Sequence, residues 1–343
     1  MRLYPLQYWF PRMSGVRWLV NNVEVYPIDG IESLQLCSKG ADVEVTQLRS
    51  GRVLGEIKSI DLDEGFVTTA QFDGDVRVRG PMSTDCLSVA VMLGHRGPTN
   101  EWGIDVNNGD IGIYPPNYES DSSHLSSLNY SILTISPSTI KHAAVAHELD
   151  FDEHMWTRPA FVRPESHAGD EIRKFFSSMK SATDNAALFR SNAVRNALFD
   201  ESIEKFLIGI ANATAQVCRS QSTRWYPFLI VSTAENYLRD RQDLPVRLNA
   251  LCADINVSRS TLNRAFQTVL NESPISYLRR WRLSQVRTKL AGPTKPNQTV
   301  TQAALSFGFW ELGRFSHQYY QLFGELPSAT LSKARGTSLI VES

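Results

Sequence analysis

The amino-acid sequence predicts an α+β protein whose N-terminal part is rich in strands and whose C-terminal part is helical. Its 343 residues are enough for two domains. Turn-forming residues interrupt short apolar runs between about residues 26 and 136, whereas apolar residues recur at helical spacing from about residue 165 onward. The charge also divides: the chain from Arg219 onward has 16 Lys and Arg against 8 Asp and Glu, a net +8, and the first 218 residues have a net −9.

The N-terminal segments "GEIKSIDLDEGFVTTAQFDGDVRVRG" and "CLSVAVMLGHRG" have the pattern of strands joined by turns. In "VNNGDIGIYPPN", a turn precedes the alternating residues Ile111 and Ile113, and two prolines must end the strand. These patterns predict a compact β-sandwich or barrel that is β-rich to about residue 140. Four aromatic residues at strand spacing are interpreted as core rather than as the lining of a ligand pocket, so cofactor-binding residues stay unknown. They are Phe66, Phe72, Trp102 and Tyr114.

The stretch from Glu165 to Val217 shows two apolar stripes at helical spacing. The stripes consist of Ile172, Phe175, Phe176 and Met179, and of Phe199, Ile203, Phe206, Leu207 and Ile210. They predict helices over residues 165–217 that complete a first domain of residues 1–218, and they suggest a homodimer contact. The polar segment "CRSQSTRWYP" then predicts a boundary before a second domain of residues 219–343.

The second domain contains an internal repeat. At an offset of 52, Leu251, Cys252, Ile255, Asn256 and Val257 recur as Ala303, Ala304, Phe307, Gly308 and Phe309. At an offset of 53, Leu262, Phe266, Glu272, Pro274 and Leu278 recur as Phe315, Tyr319, Glu325, Pro327 and Leu331. One residue is therefore inserted at the turn of the second unit.

Each unit has the pattern of two helices joined by a tight turn, over residues of about 245–270 and 298–323. In the first unit an apolar stripe ends at the turn, and Ser258 is a good N-cap for the next helix. Leu262 and Phe266 hold that helix inward. Its outward face then carries Arg259, Ser260, Asn263, Arg264 and Gln267. Arginine pairs with guanine, and Asn or Gln pairs with adenine, so these side chains suit the major groove of DNA.

In the second unit, the inward residues Phe315, Tyr319 and Phe323 leave a different set facing out. That set is Leu312, Gly313, Arg314 and His317. Between the units, Ser273 and Pro274 are the N-cap and first residue of a helix that joins them. At about 1.5 Å per residue its length is about 25 Å, which suits two contacts separated by the order of one duplex turn.

This layout, with "ALSFGFWELGRFSHQYYQLFGELPS" as its second unit, strongly resembles the AraC/XylS family of bacterial transcription regulators over about residues 225–333. The resemblance implies base contacts by Ser260, Asn263 and Arg264, and by the four outward residues of the second unit. Many members have an arginine at the position of His317 and a polar residue at that of Gly313. These departures imply that the first unit dominates sequence specificity.

The segments "GFWELGRF" and "YYQLFGELPSATL" are most similar to the subgroup of the ethanolamine-operon regulator. That resemblance implies a cupin-like N-terminal domain, with which "VTQLRSGRVLGEI" and "NNGDIGIYPPN" agree. It further implies that the first domain senses a small-molecule effector or mediates dimerisation. The second domain would bind double-stranded promoter DNA and recruit RNA polymerase, as an activator of a catabolic operon.

Other classes of function have weaker support. His142, His147, His154 and Glu148 lack metal-ligand spacing, and no P-loop or GxGxxG motif is present, so no metal, cofactor or catalytic residue is predicted. "SSMK" at residues 177–180 lies inside an apolar helical stripe and is interpreted as helix surface. A cupin-like enzyme with an accessory basic domain, and a DNA binder without sequence preference, remain as alternatives. No apolar run could span a bilayer and no signal peptide is evident, so we expect a cytoplasmic protein.

Overall fold

The computed structural model describes residues 18–20, 22–37, 41–149, 156–217, 225–241, 247–292 and 298–341. It has two β-sheets followed by a helical region, which confirms the predicted α+β class. The predicted boundary near residue 218 lies outside the described residues, as does His154, one of the histidines considered as metal ligands. The division into two domains at that position therefore stays a prediction.

Short strands build the N-terminal part because β-branched and apolar residues alternate with polar ones between turns. The strands are β1 (Trp18–Val20), β2 (Val23–Asp29), β3 (Glu44–Gln47), β4 (Leu54–Asp61), β5 (Gly65–Asp73), β6 (Val76–Pro81), β7 (Leu87–His95), β8 (Thr99–Glu101), β9 (Ile104–Asp105), β10 (Ile111–Tyr114), β11 (Glu119–His124), β12 (Ser127–Ile135), β13 (Ala160–Pro164) and β14 (Ala213–Val217). One sheet has the order β1-β2-β4-β5-β12-β7-β10-β13-β14, and the other has the order β3-β6-β11-β8-β9. The described strand pairs are antiparallel, as in a β-sandwich.

The helices cover one sheet and then form the C-terminal region. They are α1 (Ile31–Cys37), α2 (Pro137–Ala146), α3 (Ser166–Ala182), α4 (Asn192–Ala211), α5 (Trp225–Arg239), α6 (Leu248–Asp254), α7 (Arg259–Leu270), α8 (Pro274–Ala291), α9 (Val300–Ser306), α10 (Leu312–Phe323) and α11 (Pro327–Val341), with a 3₁₀ segment at Thr183–Arg190. The segment "SSMK" lies in α3, as expected for helix surface. The fold thus positions the helices from α5 to α11 after the last strand of the sandwich.

The region from residue 165 to residue 217 differs from the prediction in two respects. It ends in β14, which pairs with β13, so the region is not wholly helical. Ile172, Phe176 and Phe206, from the two apolar stripes, are buried with Val89 and Ile113 of the larger sheet. Because the stripes pack within one chain, they no longer provide an argument for a homodimer contact.

The internal repeat is present in three dimensions as two helix-turn-helix units: the first unit is α6 with α7, and the second unit is α9 with α10. The turns match, because Asn256 and its counterpart Gly308 both have a positive φ, of 53° and 76°. The ends of the second helices match as well, since Asn271 and Gly324 are left-handed caps. Both predicted N-caps before α7 and α8 form, because the Ser258 and Ser273 hydroxyls accept backbone hydrogen bonds at 3.0 and 3.3 Å.

The two units are buried against the sandwich in different ways. The first unit lies in a separate core cluster, in which Leu262 and Phe266 pack with Tyr277 of α8 and to which the sandwich contributes Leu48. The second unit shares one continuous core with the sandwich, in which Phe315 and Phe323 belong to the same cluster as strand residues such as Val45 and Phe72. Helix α8 touches both cores, so it connects the two units to each other and to the sandwich.

Candidate DNA-binding surface and ligand cavity

The outward face of α7 is built as the sequence predicts. Leu262 and Phe266 are completely buried, and helical spacing therefore turns the opposite side of α7 away from the core. The five predicted residues on that side are all exposed. They are Arg259, Ser260, Asn263, Arg264 and Gln267, which we call the first outward face. All five can donate hydrogen bonds, and none belongs to an apolar core cluster.

The outward face of α10 is equally accessible but chemically different. Phe315, Tyr319 and Phe323 anchor α10 inward, and the predicted residues opposite them are exposed. These residues are Leu312, Gly313, Arg314 and His317, which we call the second outward face. Arg314 lies 3.8 Å from the Glu311 carboxylate, so an acidic side chain partly offsets the only arginine of this face.

An alignment of the two units makes the chemical difference explicit. At the offset of 53 that relates their second helices, Arg259 corresponds to Leu312, Ser260 to Gly313 and Arg264 to His317. The second unit therefore has a leucine and a histidine where the first has arginines, and a glycine where the first has a serine. The first outward face suits hydrogen bonding to base edges, whereas the second has few groups for that purpose.

Sequence reasoning missed one residue at the second outward face. Trp310 lies immediately before the N-cap residue Glu311 of α10, and 65% of its surface is exposed. Trp310 is the extra residue of the second unit, because Phe309 corresponds to Val257 at the offset of 52 and Glu311 corresponds to Ser258 at the offset of 53. The insertion was visible in the repeat, but the exposure of an indole at that position could be seen only in the structure.

Buried charges join α5, which packs against α7 of the first unit, to the smaller sheet. Glu235 of α5 is 1% exposed and accepts hydrogen bonds from Arg77 at 3.1 Å and from Arg79 at 2.9 Å. Both arginines of β6 also bind Asp121 of β11, and Tyr277 of α8 donates to Glu235. We call Arg77, Arg79, Asp121, Glu235 and Tyr277 the interface network. Its two carboxylates balance its two guanidinium groups, as burial of charge requires.

The second unit is held by backbone contacts and an ion pair at the other end of α10. The carbonyl oxygen of Leu322 accepts hydrogen bonds from the Gln47 side chain at 2.9 Å and from the Gly51 amide at 3.2 Å. Arg287 of α8 binds Glu32 of α1 at 2.6 Å and Glu325 at 2.9 Å. These contacts lie at the C-terminal end of α10, whereas the second outward face lies at its N-terminal end.

A cavity of about 80 Å³ lies between the two sheets of the sandwich. Its wall is mainly apolar and includes Val45, Phe72, Met92 and Phe161. A few polar side chains converge on the same space, which is typical of small-molecule sites. They are Glu101, Tyr114, Ser120, Ser122, His124 and Tyr130. Of the aromatic residues interpreted from the sequence as core, Phe72 and Tyr114 line this cavity, whereas Trp102 is buried beside Tyr114 at 5.4 Å between ring centroids.

Burial sets the protonation of the polar groups in the cavity. Burial raises the pKa of Glu101 to about 7, although its carboxylate accepts hydrogen bonds from the Ser120 hydroxyl at 3.1 Å and the Asp121 amide at 3.0 Å. Burial also lowers the pKa of His124 to about 3, with a smaller contribution from His95. His124 is therefore a neutral imidazole near pH 7, and its Nδ1 atom has no hydrogen-bond partner in the described part of the chain.

The smaller sheet lies between the cavity and α5, the helix that packs against α7 of the first unit. Side chains alternate across a strand, and on β11 Ser120 and Ser122 line the cavity while Asp121 points to the other side. There the Asp121 carboxylate accepts a hydrogen bond from Ser232 of α5 at 3.1 Å. One sheet thus forms a wall of the cavity with one face and contacts α5 with the other.

Metal-ligand clusters and membrane-spanning helices do not occur in the described ranges. Within these ranges, no group of three or more His, Cys, Asp or Glu residues is arranged to hold a metal ion. The part of the chain with described coordinates also has no helix that is long and apolar enough to cross a membrane.

Comparison with protein families matches the region that carries the two outward faces. The profile of a family described as a helix-turn-helix domain matches residues 251–333, which extend from α6 into α11. The XylDLEGF operon transcriptional activator 2 of Pseudomonas putida is 34% identical over 96 residues, 28% of this chain and 61% of that protein. The probable thc operon regulatory protein of Rhodococcus erythropolis is 31% identical over 102 residues, 30% of this chain and 31% of that protein. The chain thus spans less than two thirds of each of these curated relatives.

Solved structures give similar but distant matches. A probable AraC family transcriptional regulator from Rhodopseudomonas palustris has 36% identity and covers 31% of this chain and 97% of its own, with a TM-score of 0.29. Fatty-acid-bound ToxT from Vibrio cholerae has 11% identity and covers 94% of this chain and 97% of its own, with a TM-score of 0.31. Both TM-scores are too low for a comparison of how the parts are arranged.

Proposed function

We propose that the chain is a DNA-binding transcription regulator of the AraC type, because residues 251–333 match a family described as a helix-turn-helix domain and a relative that matches about 28% of the chain is named a transcriptional activator. The observation that carries the proposal is the duplicated unit, in which buried anchors turn the outer side of α7 and of α10 to the solvent. The net charge of +8 from Arg219 onward supports contact with a phosphate backbone.

We assign the affinity and the specificity of DNA binding to different groups. Contacts between basic side chains and phosphates would provide most of the affinity, and the affinity would therefore fall steeply as salt rises. Base contacts by Asn263, Arg264 and Arg314 would each contribute discrimination of about 1–3 kcal/mol. The helix α8, with 18 residues, is about 27 Å long at about 1.5 Å per residue and could place the two outward faces near successive turns of one duplex.

Selection of duplexes from a random-sequence pool by the full chain tests this proposal. We expect one enriched sequence, bound at least about 1000-fold more tightly than random DNA at physiological salt. Binding to every sequence with equal affinity would instead favour a DNA binder without sequence preference. No binding to DNA at low salt would contradict the proposal altogether.

We further propose that the sandwich binds a small-molecule effector in its cavity. The cavity is about half the volume of a buried cavity, of about 150 Å³, that admits benzene, so the effector would be compact. Its body would be apolar, and it would carry a group that hydrogen-bonds to His124 or Glu101. The support is the unpartnered imidazole nitrogen of His124 and the carboxyl group of Glu101, whose pKa is raised, in a mainly apolar wall.

Filling the cavity tests the effector proposal. Ala90 lines the cavity, and Ala90→Phe would occupy space that a ligand needs. The unfolding temperature of the full chain would be measured with matched amines, alcohols and carboxylic acids of about three or four non-hydrogen atoms, in keeping with a volume about half that of a benzene site. A compound that stabilises the wild type but not Ala90→Phe supports the proposal. Equal stabilisation of both proteins would place the compound elsewhere.

The finer features of the regulator are also proposals. Activation through RNA polymerase, homodimer formation and membership of the ethanolamine-operon regulator subgroup rest on the sequence resemblance, and a cytoplasmic location follows from binding chromosomal DNA. The alternative of a cupin-like enzyme gains no support from the relatives, because those described above carry the names of regulators.

A further inference from the structure

The outer edge of the second unit carries two exposed apolar side chains. Trp310 is 65% exposed and Leu312 is 37% exposed, and they lie on either side of the N-cap residue of α10. Exposed apolar side chains that are close together commonly mark a binding surface. This edge is continuous with Arg314 and His317, so the same partner would touch all four side chains.

Gly313 leaves the backbone bare between Leu312 and Arg314. A Cβ atom built on Gly313 would meet nothing within 4 Å, so no neighbouring side chain requires a glycine there. Glycine within a helix costs about 0.5–1 kcal/mol relative to alanine. Since packing within the chain does not explain the glycine, close contact with another molecule is the better explanation. The missing side chain lets another molecule approach the first turn of α10 closely.

The major groove presents one apolar group to such an edge. That group is the C5 methyl of thymine, whereas the other groups that distinguish base pairs are hydrogen-bond donors and acceptors. The first turn of the second helix in a helix-turn-helix unit is the part that contacts base edges. In this chain that turn begins with Leu312 and is preceded by Trp310.

We propose that the second unit recognises thymine methyl groups through Leu312 and Trp310, while the first unit recognises bases by hydrogen bonding. This inference rests on the proposed function, because it requires the outward faces of α7 and α10 to contact DNA. It adds Trp310 to the residues that determine specificity, at the position where the second unit has one residue more than the first.

Replacement of thymine by deoxyuridine provides a direct test, since deoxyuridine lacks only the methyl group. The duplex would be the one that the full chain enriches from a random pool, and each thymine would be replaced in turn. We expect at least one position at which the dissociation constant rises about fourfold, because burial of one methyl-sized group is worth about 0.8 kcal/mol. Binding would be measured by fluorescence anisotropy at a fixed salt concentration.

Protein variants assign that effect to the second unit. In Leu312→Ala or Trp310→Ala the sensitive thymine and its deoxyuridine form should be bound equally, whereas Arg264→Ala should retain the fourfold difference. Leu326→Ala is the matched control, because Leu326 is an exposed leucine of the same domain beyond the end of α10. The substituted side chains are exposed, and unchanged thermal unfolding would show that each variant is folded.

Specific binding without any methyl-sensitive thymine would overturn the inference and leave the proposed function intact. The inference is also overturned if Leu312→Ala and Trp310→Ala both keep the difference between thymine and deoxyuridine. Failure of the full chain to enrich any sequence would overturn the inference and the proposed function together.

Discussion

The two helix-turn-helix units share a backbone but differ in what they bury and in what they expose. The first unit belongs to a core cluster that includes only Leu48 among the buried residues of the sandwich, and the interface network joins its neighbour α5 to the smaller sheet. The second unit is part of the core of the sandwich. Outside, the first unit carries arginines and amides, and the second carries Trp310 and Leu312. The two units therefore share the left-handed turn residue and the left-handed C-cap, whereas the N-cap and the outward positions differ.

The largest effects should come from the two cores. Phe266→Ala and Phe315→Ala each remove a fully buried ring, which costs about 3–5 kcal/mol of unfolding free energy. We expect hydrogen exchange to distinguish them. Phe315→Ala should speed exchange in β3 and β5, which contribute Val45 and Phe72 to the same cluster, whereas Phe266→Ala should leave these strands protected. Equal protection in both variants would mean that the cores do not differ in this way.

The charged attachments offer a second comparison of similar size. Glu235→Gln removes a carboxylate that two buried arginines share, and we expect a loss of about 3–5 kcal/mol in urea unfolding. The counterpart at the second unit is Glu32→Gln, which should cost less because Arg287 keeps Glu325 at 2.9 Å. Glu119→Gln is the control, since its side chain is 52% exposed beside Arg79. A larger loss for Glu32→Gln would reverse the comparison.

A smaller effect should depend on pH. It concerns Glu101 of β8, in the smaller sheet. Because burial raises the pKa of Glu101 to about 7, the folded protein holds this proton more tightly than the unfolded chain does. The contribution of protonated Glu101 to the unfolding free energy is fully present below about pH 4.5 and is lost as the pH rises through about 7.

The unfolding free energy of Glu101→Gln, relative to that of the wild type, should therefore increase by up to about 3 kcal/mol as the pH rises from 5 to 8. Urea unfolding at the two pH values measures this difference directly. The exposed Glu64 provides the matched Glu→Gln control. A difference between wild type and Glu101→Gln that is the same at both pH values would argue against a buried, protonated Glu101.

The smallest effect compares two equivalent positions on the outward faces. Arg264→Ala should reduce discrimination between the selected and random duplexes by about 1–3 kcal/mol, whereas His317→Ala should reduce it by less. Arg158→Ala, at an exposed position in the sandwich, should leave discrimination unchanged. Equal losses on selected and random DNA for Arg264→Ala would remove its role in reading bases.

The sequence was most informative where structure depends on neighbours along the chain. The turns, the caps and the anchors of α7 and α10 follow from spacing over a few residues, and the repeat doubled each signal. The exposure of the nine predicted DNA-binding residues could be predicted for the same reason. Their contacts with DNA stay a prediction, because the structure describes the chain alone.

The contacts between the sandwich and the units could not be predicted, because they depend on residues far apart in the sequence. Arg77 and Arg79 alternate with valines as if they faced water, yet Glu235, 158 residues after Arg77, makes their burial possible. The strand β14 was missed because its residues continue an apolar pattern, and only pairing with β13 defines it as a strand. The cavity was missed because the same aromatic spacing serves a filled core and a lined space.

On β11 a residue that lines the proposed effector cavity, Ser120, is followed directly by Asp121, which contacts α5. Oε1 of Glu101 accepts hydrogen bonds from the hydroxyl of Ser120 and from the amide of Asp121, and the carboxylate of Asp121 in turn holds Arg77. Asp121 also contacts Ser232 of α5. A small molecule that takes a hydrogen bond from Glu101 would therefore act directly beside the residue that holds α5. Such a signal would need neither a hinge nor a long relay.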